Sequence, residues 1–475
     1  MTRTRFAPSP TGFMHIGNLR TALYEYLIAK SQGGKFILRI EDTDQKRLVP
    51  EAEKIIFDTL KITGLKHDEG PDVGGNFGPY VQSERKEIYK KYALELIKNN
   101  HAYYCFCDKE EFDAGDRFSE KNKCNCKNLS ADEVKKNLEA GKKFVIRQNI
   151  PDGETSFFDQ VYGEITVKNS ELDDQVLIKS DGLPTYNFAN VIDDHLMEIT
   201  HVVRGCEYLS STPKYNLLYK AFGWQIPEYI HLPLILDEHG EKLSKRKGAA
   251  SFEDLMKMGF LPEAIINYIA LLGWSPDNNQ EIFSLAELEK KFNVRGLSKS
   301  PAIFDLAKLK WMNGEYIKKM DKDKFYNLAL DYLKKNIKKS DLDYKFMAEA
   351  AQTRVEFIED AWKLFNFVDE LRDYDLDLFL NKKMKVTHEI AYDVLNCVLD
   401  KLKDIELKNW YGENLKNVLM ELAKEKNLKT GQIFWPLLIA LSGKKNTPCG
   451  ATEIAEMIGK EESLRRINFG IEKLK

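Results

Sequence analysis

Residues Arg3 to Leu23 read R-T-R-F-A-P-S-P-T-G-F-M-H-I-G-N-L-R-T-A-L, and the fold of the first part of the chain is decided there. Arg5-Phe6-Ala7 has the character of a strand end. Pro8 and Pro10 forbid helix and hold a stiff, extended turn that Gly12 closes. From Leu19 the apolar positions Leu19, Ala22, Leu23, Tyr26 and Leu27 recur at helical spacing. After Gly33-Gly34, the run Phe36-Ile37-Leu38 reads as a buried strand that ends at Arg39-Ile40-Glu41-Asp42. This is a βαβ unit, which puts His15, Gly17 and Asn18 at the entrance to its helix. A helix entrance offers unpaired N–H groups and a positive dipole end, and both suit phosphate. Gly17 removes a side chain where a nucleotide could press against backbone, and His15 and Asn18 add donors aimed the same way. Alone, one H-x-G is a weak signal, and a lone histidine near a loop is more often a plain surface residue.

The 475-residue length is enough for about three domains. A hydrophobic fraction of 43% suits a sizeable core, and no apolar run approaches the ~18 residues that span a membrane. The start is polar from Thr2 to Arg5, unlike a secretory signal. A net charge of −3 excludes nucleic-acid binding by bulk electrostatics and leaves local basic patches to be sought. Seven cysteines, four of them clustered, fit a reducing compartment. The chain therefore reads as a cytoplasmic monomer with no membrane partner. Cys105-Phe106-Cys107 and Cys124-Asn125-Cys126 are separated by sixteen residues. Two close pairs of soft thiolates are what a tetrahedral Zn²⁺ requires. The Cys-x-Cys spacing is tighter than the common Cys-x-x-Cys, so free thiols and disulfides stand as alternatives.

With these residues in view, the opening stretch resembles the R-F-A-P-S-P-T-G…H-I-G-H region of class I glutamyl-tRNA synthetases. Asn18 departs from that pattern, replacing a second histidine with a side chain that donates a hydrogen bond but cannot become cationic. Further similar motifs follow in order. They are R-I-E-D-T-D (39–44), D-G-L-P-T-Y-N-F-A-N-V-I-D-D-H (181–195), and K-L-S-K-R (242–246), which resembles the K-M-S-K-S loop with departures at Leu243 and Arg246. Gly431 to Pro448 resembles the family's C-terminal anticodon-binding cage, with Leu438 where many relatives carry Arg.

The resemblance implies an α/β fold: a Rossmann-type catalytic domain with an inserted α+β acceptor-binding subdomain, followed by an all-α anticodon-binding region. Residues 1–100 would form the first half of the catalytic domain and 101–175 the inserted zinc-containing subdomain that holds the acceptor end. Residues 176–240 would complete the catalytic domain, 241–324 would carry the K-L-S-K-R loop and a stem-contact domain, and 325–475 would bind the anticodon. The implied activity is that of a glutamate–tRNA ligase, with L-glutamate, ATP and tRNA-Glu as partners and Mg²⁺ accompanying ATP. Cys105, Cys107, Cys124 and Cys126 would hold a structural Zn²⁺. His15, Gly17, Asn18, Lys242 and Lys245 would be catalytic, with Glu207, Tyr208 and Leu236 completing the ATP site. Arg5, Ala7, Ser9, Glu41, Tyr186, Asn190 and Arg204 would bind glutamate, Glu41 through the α-amino group. Arg354 is the candidate anticodon-reading residue.

Chemistry adds a reason for the arginines. Arg204 at a strand end is either a salt-bridge partner or a carboxylate clamp, and the clamp reading explains a second arginine, Arg5, at a neighbouring strand end. A guanidinium has donors only, so glutamate satisfies it, whereas glutamine presents an NH₂ and leaves charge unpaired at about 2–5 kcal/mol. Losing Lys245 would cost roughly 10²–10³ in rate.

Local patterns give further expectations. Glu84–Asn99 should be a helix with Ile88, Tyr92, Leu96 and Ile97 inward. Strands are expected at 143–147, 162–167, 176–178 (where the nucleotide fold would resume), 198–203 and 231–236, with a helix starting at Pro184. The basic runs Lys334–Lys339 and Arg465-Arg466 are candidate RNA surfaces. Two rival functions are an RNA-binding paralogue without activity and a small-substrate adenylyltransferase, and the helical stretch from about 325 argues against the second.

Overall fold

The structure, a computed structural model, describes residues 1–45, 47–107, 124–243 and 251–475. It divides into two compact units, Met1–Leu309 and Lys310–Lys475.

In the first unit, β1 (Arg3–Phe6) and β2 (Lys35–Leu38) are parallel and are joined by α1 (Ile16–Ser31), so the expected βαβ unit is present. The segment after β1 contains two prolines and still keeps its place beside the second strand. Arg39 N–H donates to Phe6 O at 2.9 Å and Glu41 N–H to Pro8 O at 3.0 Å. Pro8 needs only to accept here, which is the one backbone role open to it. Helix α1 is buried around most of its circumference, including the charged Arg20 and Glu25. The strands cover one side of it, and residues 262–291 cover another. The Tyr24 hydroxyl there lies 3.1 Å from the carbonyls of both Ala270 and Leu272.

Beyond α2 (Ala52–Thr63), helix α3 (Lys86–Lys98) turns Tyr89, Ala93 and Leu96 inward, while Ile88, Tyr92 and Ile97 are only partly buried. The expected face was thus rotated. Tyr89 goes deepest because its hydroxyl has a buried acceptor, Asp193 Oδ2 at 2.8 Å.

The middle of the unit contains β3 (Ala102–Cys105), α4 (Ala131–Glu139), β4 (Val145–Gln148), β5 (Glu154–Asp159), β6 (Gly163–Lys168) and β7 (Val176–Ile178). After them come α5 (Tyr186–Leu196), β8 (His201–Gly205), α6 (Thr212–Phe222), β9 (Glu228–Leu232) and β10 (Ile235–Leu236). Strand β7 pairs antiparallel with β4, in the sheet β3-β4-β7. The β5–β6 hairpin joins β9 and β8 in a sheet of order β6-β5-β9-β8, through Asp159 opposite Tyr229. Segment 176–178 therefore extends the sheet of β3 and β4, and residues 154–168 reach β9, the strand of His231, which lies beside the strand of Arg204.

Three boundaries moved for local reasons. Lys179 N–H bonds Leu183 O and Thr185 N–H bonds Leu177 O, so residues 183–185 return along β7 and the helix starts at Tyr186 rather than Pro184. Glu198 sits at φ 55°, outside any strand, and β8 begins only at His201. Pro233 has no N–H and splits the expected 231–236 strand into β9 and β10.

The second unit is helical, as expected. Its main helices are Lys322–Asn336, Tyr344–Gln352, His388–Lys403, Gly412–Glu425, Thr430–Ser442, Ala451–Ile458 and Lys460–Leu474. Of the expected RNA-surface pair Arg465-Arg466, Arg465 is exposed and Arg466 is not available. Arg466 is fully buried, with Nη1 donating to Phe367 O at 2.8 Å and Leu441 O at 2.7 Å and Nε to Glu462 Oε1 at 2.6 Å. It ties loop carbonyls together and presents nothing to a polyanion. Lys334, Lys335 and Lys338 are exposed, but Ile337 in their midst is core.

Candidate active site

A cleft of about 710 Å³ opens where β1, the α1 entrance, β8 and residues 232–243 converge. Of the residues assigned to the site from sequence, Arg5, Ala7, Ser9, His15, Gly17, Asn18, Glu41, Tyr186, Arg204, Glu207, Tyr208 and Lys242 line it. Asn190 lies one turn below Tyr186, 2% exposed, with its Nδ2 unpartnered, and Leu236 pairs across to Lys242 at the rim. Neither lines the cleft. Lys245 falls outside the described residues. Arg354 belongs to the second unit, is exposed, and donates to Ala350 O at 2.7 Å.

At the helix entrance His15 is the N-cap of α1, and its Nδ1 accepts the Gly17 N–H at 3.1 Å. Of the N–H groups at the helix entrance, that of Gly17 is therefore occupied by the histidine. An accepting Nδ1 carries no proton, so in the neutral ring the proton sits on Nε2. A Cβ at Gly17 would stand 3.3 Å from His15 Nδ1, so the glycine makes room for the cap itself.

The two arginines turn out unalike. Arg5 donates from Nε to Asp194 at 3.0 Å and from Nη1 to Glu25 at 3.1 Å. Burial opposes its charge, but the Asp194 and Glu25 carboxylates outweigh that and raise its pKa. Arg204 lies 5% exposed with no carboxylate partner among the described residues. Its Nε donates to His231 Nε2 at 3.0 Å and its Nη2 to Thr212 Oγ1 at 2.8 Å, and its guanidinium carbon is 4.6 Å from the Tyr215 ring and 5.2 Å from the Tyr229 ring. Both arginines expected to clamp a carboxylate thus line the cleft, Arg5 already paired with acidic side chains and Arg204 without one among the described residues.

Beneath the cleft, Arg5, Arg39 and Arg85 meet four carboxylates, Glu25, Glu41, Asp193 and Asp194. Asp194 bridges Arg5 (3.0 Å) and Arg39 (2.7 Å), and although burial alone would raise it, those two cations hold it below the usual carboxylate range. The surplus negative charge falls on the others. Burial outweighs the arginines at Glu25, pushed up to about 8, and at Glu41, pushed up to about 7. Glu41 Oε1 accepts from Arg39 Nη2 at 2.9 Å, while Oε2 is buried without a partner on a residue that lines the cleft. A cationic group entering there would complete both the hydrogen bonding and the charge balance.

Sequence reasoning assigned no role to Arg20, Glu25, Arg39, Asp193 or Asp194. Arg20 lines the cleft and donates to Pro233 O and, at 3.1 Å, to Leu272 O. A signal did exist, since Arg20 and Glu25 interrupt the apolar face of α1 and Asp193-Asp194 sit in an apolar helix, and charge at core spacing marks a buried polar site.

The four cysteines gather as expected. Cys105 and Cys124 Sγ are 3.5 Å apart, Cys107 and Cys124 3.5 Å, Cys107 and Cys126 3.6 Å, and all four lie within 4.8 Å of one another. A disulfide would need about 2.05 Å, so that alternative falls, and none of the four is disulfide-bonded. Thiolates about 2.3 Å from a tetrahedral ion stand about 3.8 Å apart, so the cluster is compatible with zinc. Among the described residues it is the one grouping arranged for a metal ion. No helix among them is long and apolar enough to cross a membrane.

Comparison with known proteins meets this geometry. The family of tRNA synthetases class I (E and Q), catalytic domain, matches residues 1–311, and the anticodon binding domain family matches residues 324–471. A glutamate–tRNA ligase of Clostridium acetobutylicum is 57% identical over 99% of this chain and 98% of its own, and one of Clostridium botulinum is 57% identical over 100% and 99%. A crystal structure of a glutamate tRNA ligase from Elizabethkingia meningosepticum in complex with its amino acid superposes with a TM-score of 0.86, at 37% identity and full coverage of both chains. The glutamate-tRNA synthetase of Elizabethkingia anophelis superposes at 0.87, with 37% identity and 99% of each chain. A class I synthetase catalytic region followed by a helical anticodon-binding region, similar along its whole length to these enzymes, places the chain in the glutamate–tRNA ligase family of class I aminoacyl-tRNA synthetases.

Proposed function

We propose that the cleft activates L-glutamate with ATP and that the enzyme transfers the glutamyl group to the terminal adenosine of tRNA-Glu. The observation that carries this assignment is the pairing, in one cleft, of a buried carboxylate oxygen lacking a partner (Glu41 Oε2) with a buried guanidinium lacking a carboxylate (Arg204). An amino acid with an anionic side chain supplies both counter-charges. The substrate ammonium goes to Glu41 and its side-chain carboxylate to Arg204, with Tyr186 beside them.

Held at these ends, glutamate presents its α-carboxylate towards the α1 entrance, where His15 Nε2–H and Asn18 donate to the nucleotide phosphates. A carboxylate oxygen attacks the α-phosphorus, the bond from that phosphorus to the β-phosphate oxygen breaks, and pyrophosphate leaves with the electron pair. Lys242 at the rim, together with Lys245, stabilises the charge growing on the leaving group. A ribose hydroxyl of the tRNA's terminal adenosine then attacks the glutamyl carbonyl and AMP departs. Positioning and charge account for these steps, and no protein nucleophile is needed. Mg²⁺ bound with ATP would offset part of the phosphate charge. Cys105, Cys107, Cys124 and Cys126 would hold one Zn²⁺, which closes all four positions and makes it structural. Arg354 is proposed to contact the anticodon, and the enzyme to work as a cytoplasmic monomer.

The test is aminoacylation of separate tRNA-Glu and tRNA-Gln transcripts with labelled glutamate. Charging of tRNA-Glu alone marks a discriminating enzyme, charging of both a relaxed anticodon site. Charging of neither, native tRNA included, overturns the activity. Metal analysis of the purified chain should return one zinc per chain, and C107S should lose it.

A further inference from the structure

Arg204 owes its place to a residue the reaction does not require. Its Nε–H can only donate, so His231 Nε2, 3.0 Å away, must accept and carries no proton. The remaining ring proton is then on Nδ1, which donates to Asp159 Oδ2 at 2.7 Å. Both His231 and Asp159 are 0% exposed. Asp159 is itself fixed, since its Oδ2 also accepts the His231 N–H at 3.0 Å and its Oδ1 the N–H groups of Val161 (2.9 Å) and Tyr162 (2.8 Å). Burial depresses the His231 pKa, in keeping with a neutral ring.

We propose that His231, fixed in one tautomer by Asp159, is a positioning residue that orients the Arg204 guanidinium and thereby sets the preference for glutamate over glutamine. The inference rests on the assignment of Arg204 to the substrate's side-chain carboxylate. The contrast with Arg5 supplies the reason for a histidine. Two acidic side chains, Asp194 and Glu25, hold Arg5, whereas a neutral imidazole and the Thr212 hydroxyl hold Arg204 and leave its charge for the ligand. With Nε and Nη2 engaged, Nη1 is the nitrogen without a partner among the described residues, on a side chain that lines the cleft. An arginine released from these bonds could swing and accept an amide as readily as a carboxylate. Asp159 ends β5, so the β5–β6 hairpin and the clamp share one hydrogen-bonded chain.

Two isosteric substitutions separate the halves of the histidine. His231→Asn places an amide N–H where Nδ1 stood, keeping the Asp159 bond but not reaching Arg204. His231→Gln places its amide oxygen near the Nε2 position, keeping an acceptor for Arg204 but losing the Asp159 bond. Steady-state aminoacylation of tRNA-Glu by the full chain, with glutamate and ATP varied in turn, gives the readout. We expect H231N to raise the glutamate KM about 10- to 100-fold at an unchanged ATP KM and to narrow the selectivity against glutamine. H231Q should recover most of the glutamate KM. A merely structural His231 would instead show equal loss in both variants, with lowered melting temperatures and an unmoved glutamate KM, and that result overturns the proposal. Arg204→Ala separates the two readings. If it raises the glutamate KM while H231N does not, only the positioning role fails. If it leaves the glutamate KM unmoved, the clamp assignment fails and this proposal with it.

Discussion

The two units of the molecule treat charge in opposite ways. Beneath the cleft of the first unit, three guanidiniums and four carboxylates are buried together, with Arg39 and Asp193 fully out of solvent. In the helical unit most ion pairs are on the surface, as in Lys401–Glu425 and Lys345–Asp323, and its buried arginine, Arg466, pairs with the part-exposed Glu462 and otherwise donates to carbonyls. Burying an ion pair is a poor way to gain stability, because desolvation consumes most of the attraction. The first unit accepts that cost and ends up with a carboxylate oxygen and a guanidinium held unsatisfied at a cleft. The second leaves most of its charges in water, Arg466 being the exception.

The sharpest way to break this contrast is Asp194→Ala. It strands Arg5 and Arg39 without their shared counter-ion in a buried setting, and we expect a loss of about 3–5 kcal/mol of stability, read from urea denaturation, together with loss of glutamate activation. A loss below about 1 kcal/mol would mean that the network is solvated like a surface pair.

Next in size is a pH effect whose sign differs between folding and function. Glu25 and Glu41, pushed up to about 8 and about 7, bind protons in the folded state at pH values where the unfolded chain has released them. Their contribution to stability is therefore complete below the ordinary carboxylate range and is lost as pH rises through about 7 and 8. Asp194, depressed by Arg5 and Arg39, acts oppositely, its contribution being lost as pH falls. Function needs Glu41 ionised to pair with an ammonium. Accordingly kcat/KM for glutamate should rise up to about tenfold per pH unit below about 7 and then level off, and Glu41→Gln should flatten the profile while lowering it. A wild-type profile flat from about pH 6 to 8 would place the ammonium elsewhere.

How far the sequence reached follows from the range of the interactions. The βαβ unit was legible because its proline and glycine punctuation and the helical spacing from Leu19 are local. The cysteine cluster was legible because two tight pairs can hardly serve a fold separately. Arg5 was placed correctly at the cleft and misjudged in its partners, since Asp194 lies 189 residues away and nothing near Arg5 announces it. The unpaired N–H groups expected at the helix entrance do not include that of Gly17, because its acceptor depends on the His15 rotamer, which spacing does not encode. Val176–Ile178 looks the same as a local apolar run whichever sheet receives it. In each case the short-range physics was readable and the pairing partner was not.

The smallest effect is the most direct check on the second half of the contrast. Lys401 and Glu425 approach to 3.1 Å, yet their side chains are 38% and 55% exposed. Water solvates each ion nearly as well as its partner does, and holding two long side chains in one geometry offsets part of what attraction remains. Glu425→Gln should therefore change stability by no more than about 0.5 kcal/mol, and by less in 1 M salt, where charges are screened within about 3 Å. Thermal melts at low and high salt measure it, with Asp194→Ala alongside. If E425Q were to approach D194A in cost, solvent exposure would not be what separates the two units. If it stays near zero while D194A is large and nearly insensitive to salt, desolvation is the difference, and the uncompensated groups at the cleft are maintained by a network that stability alone would not favour.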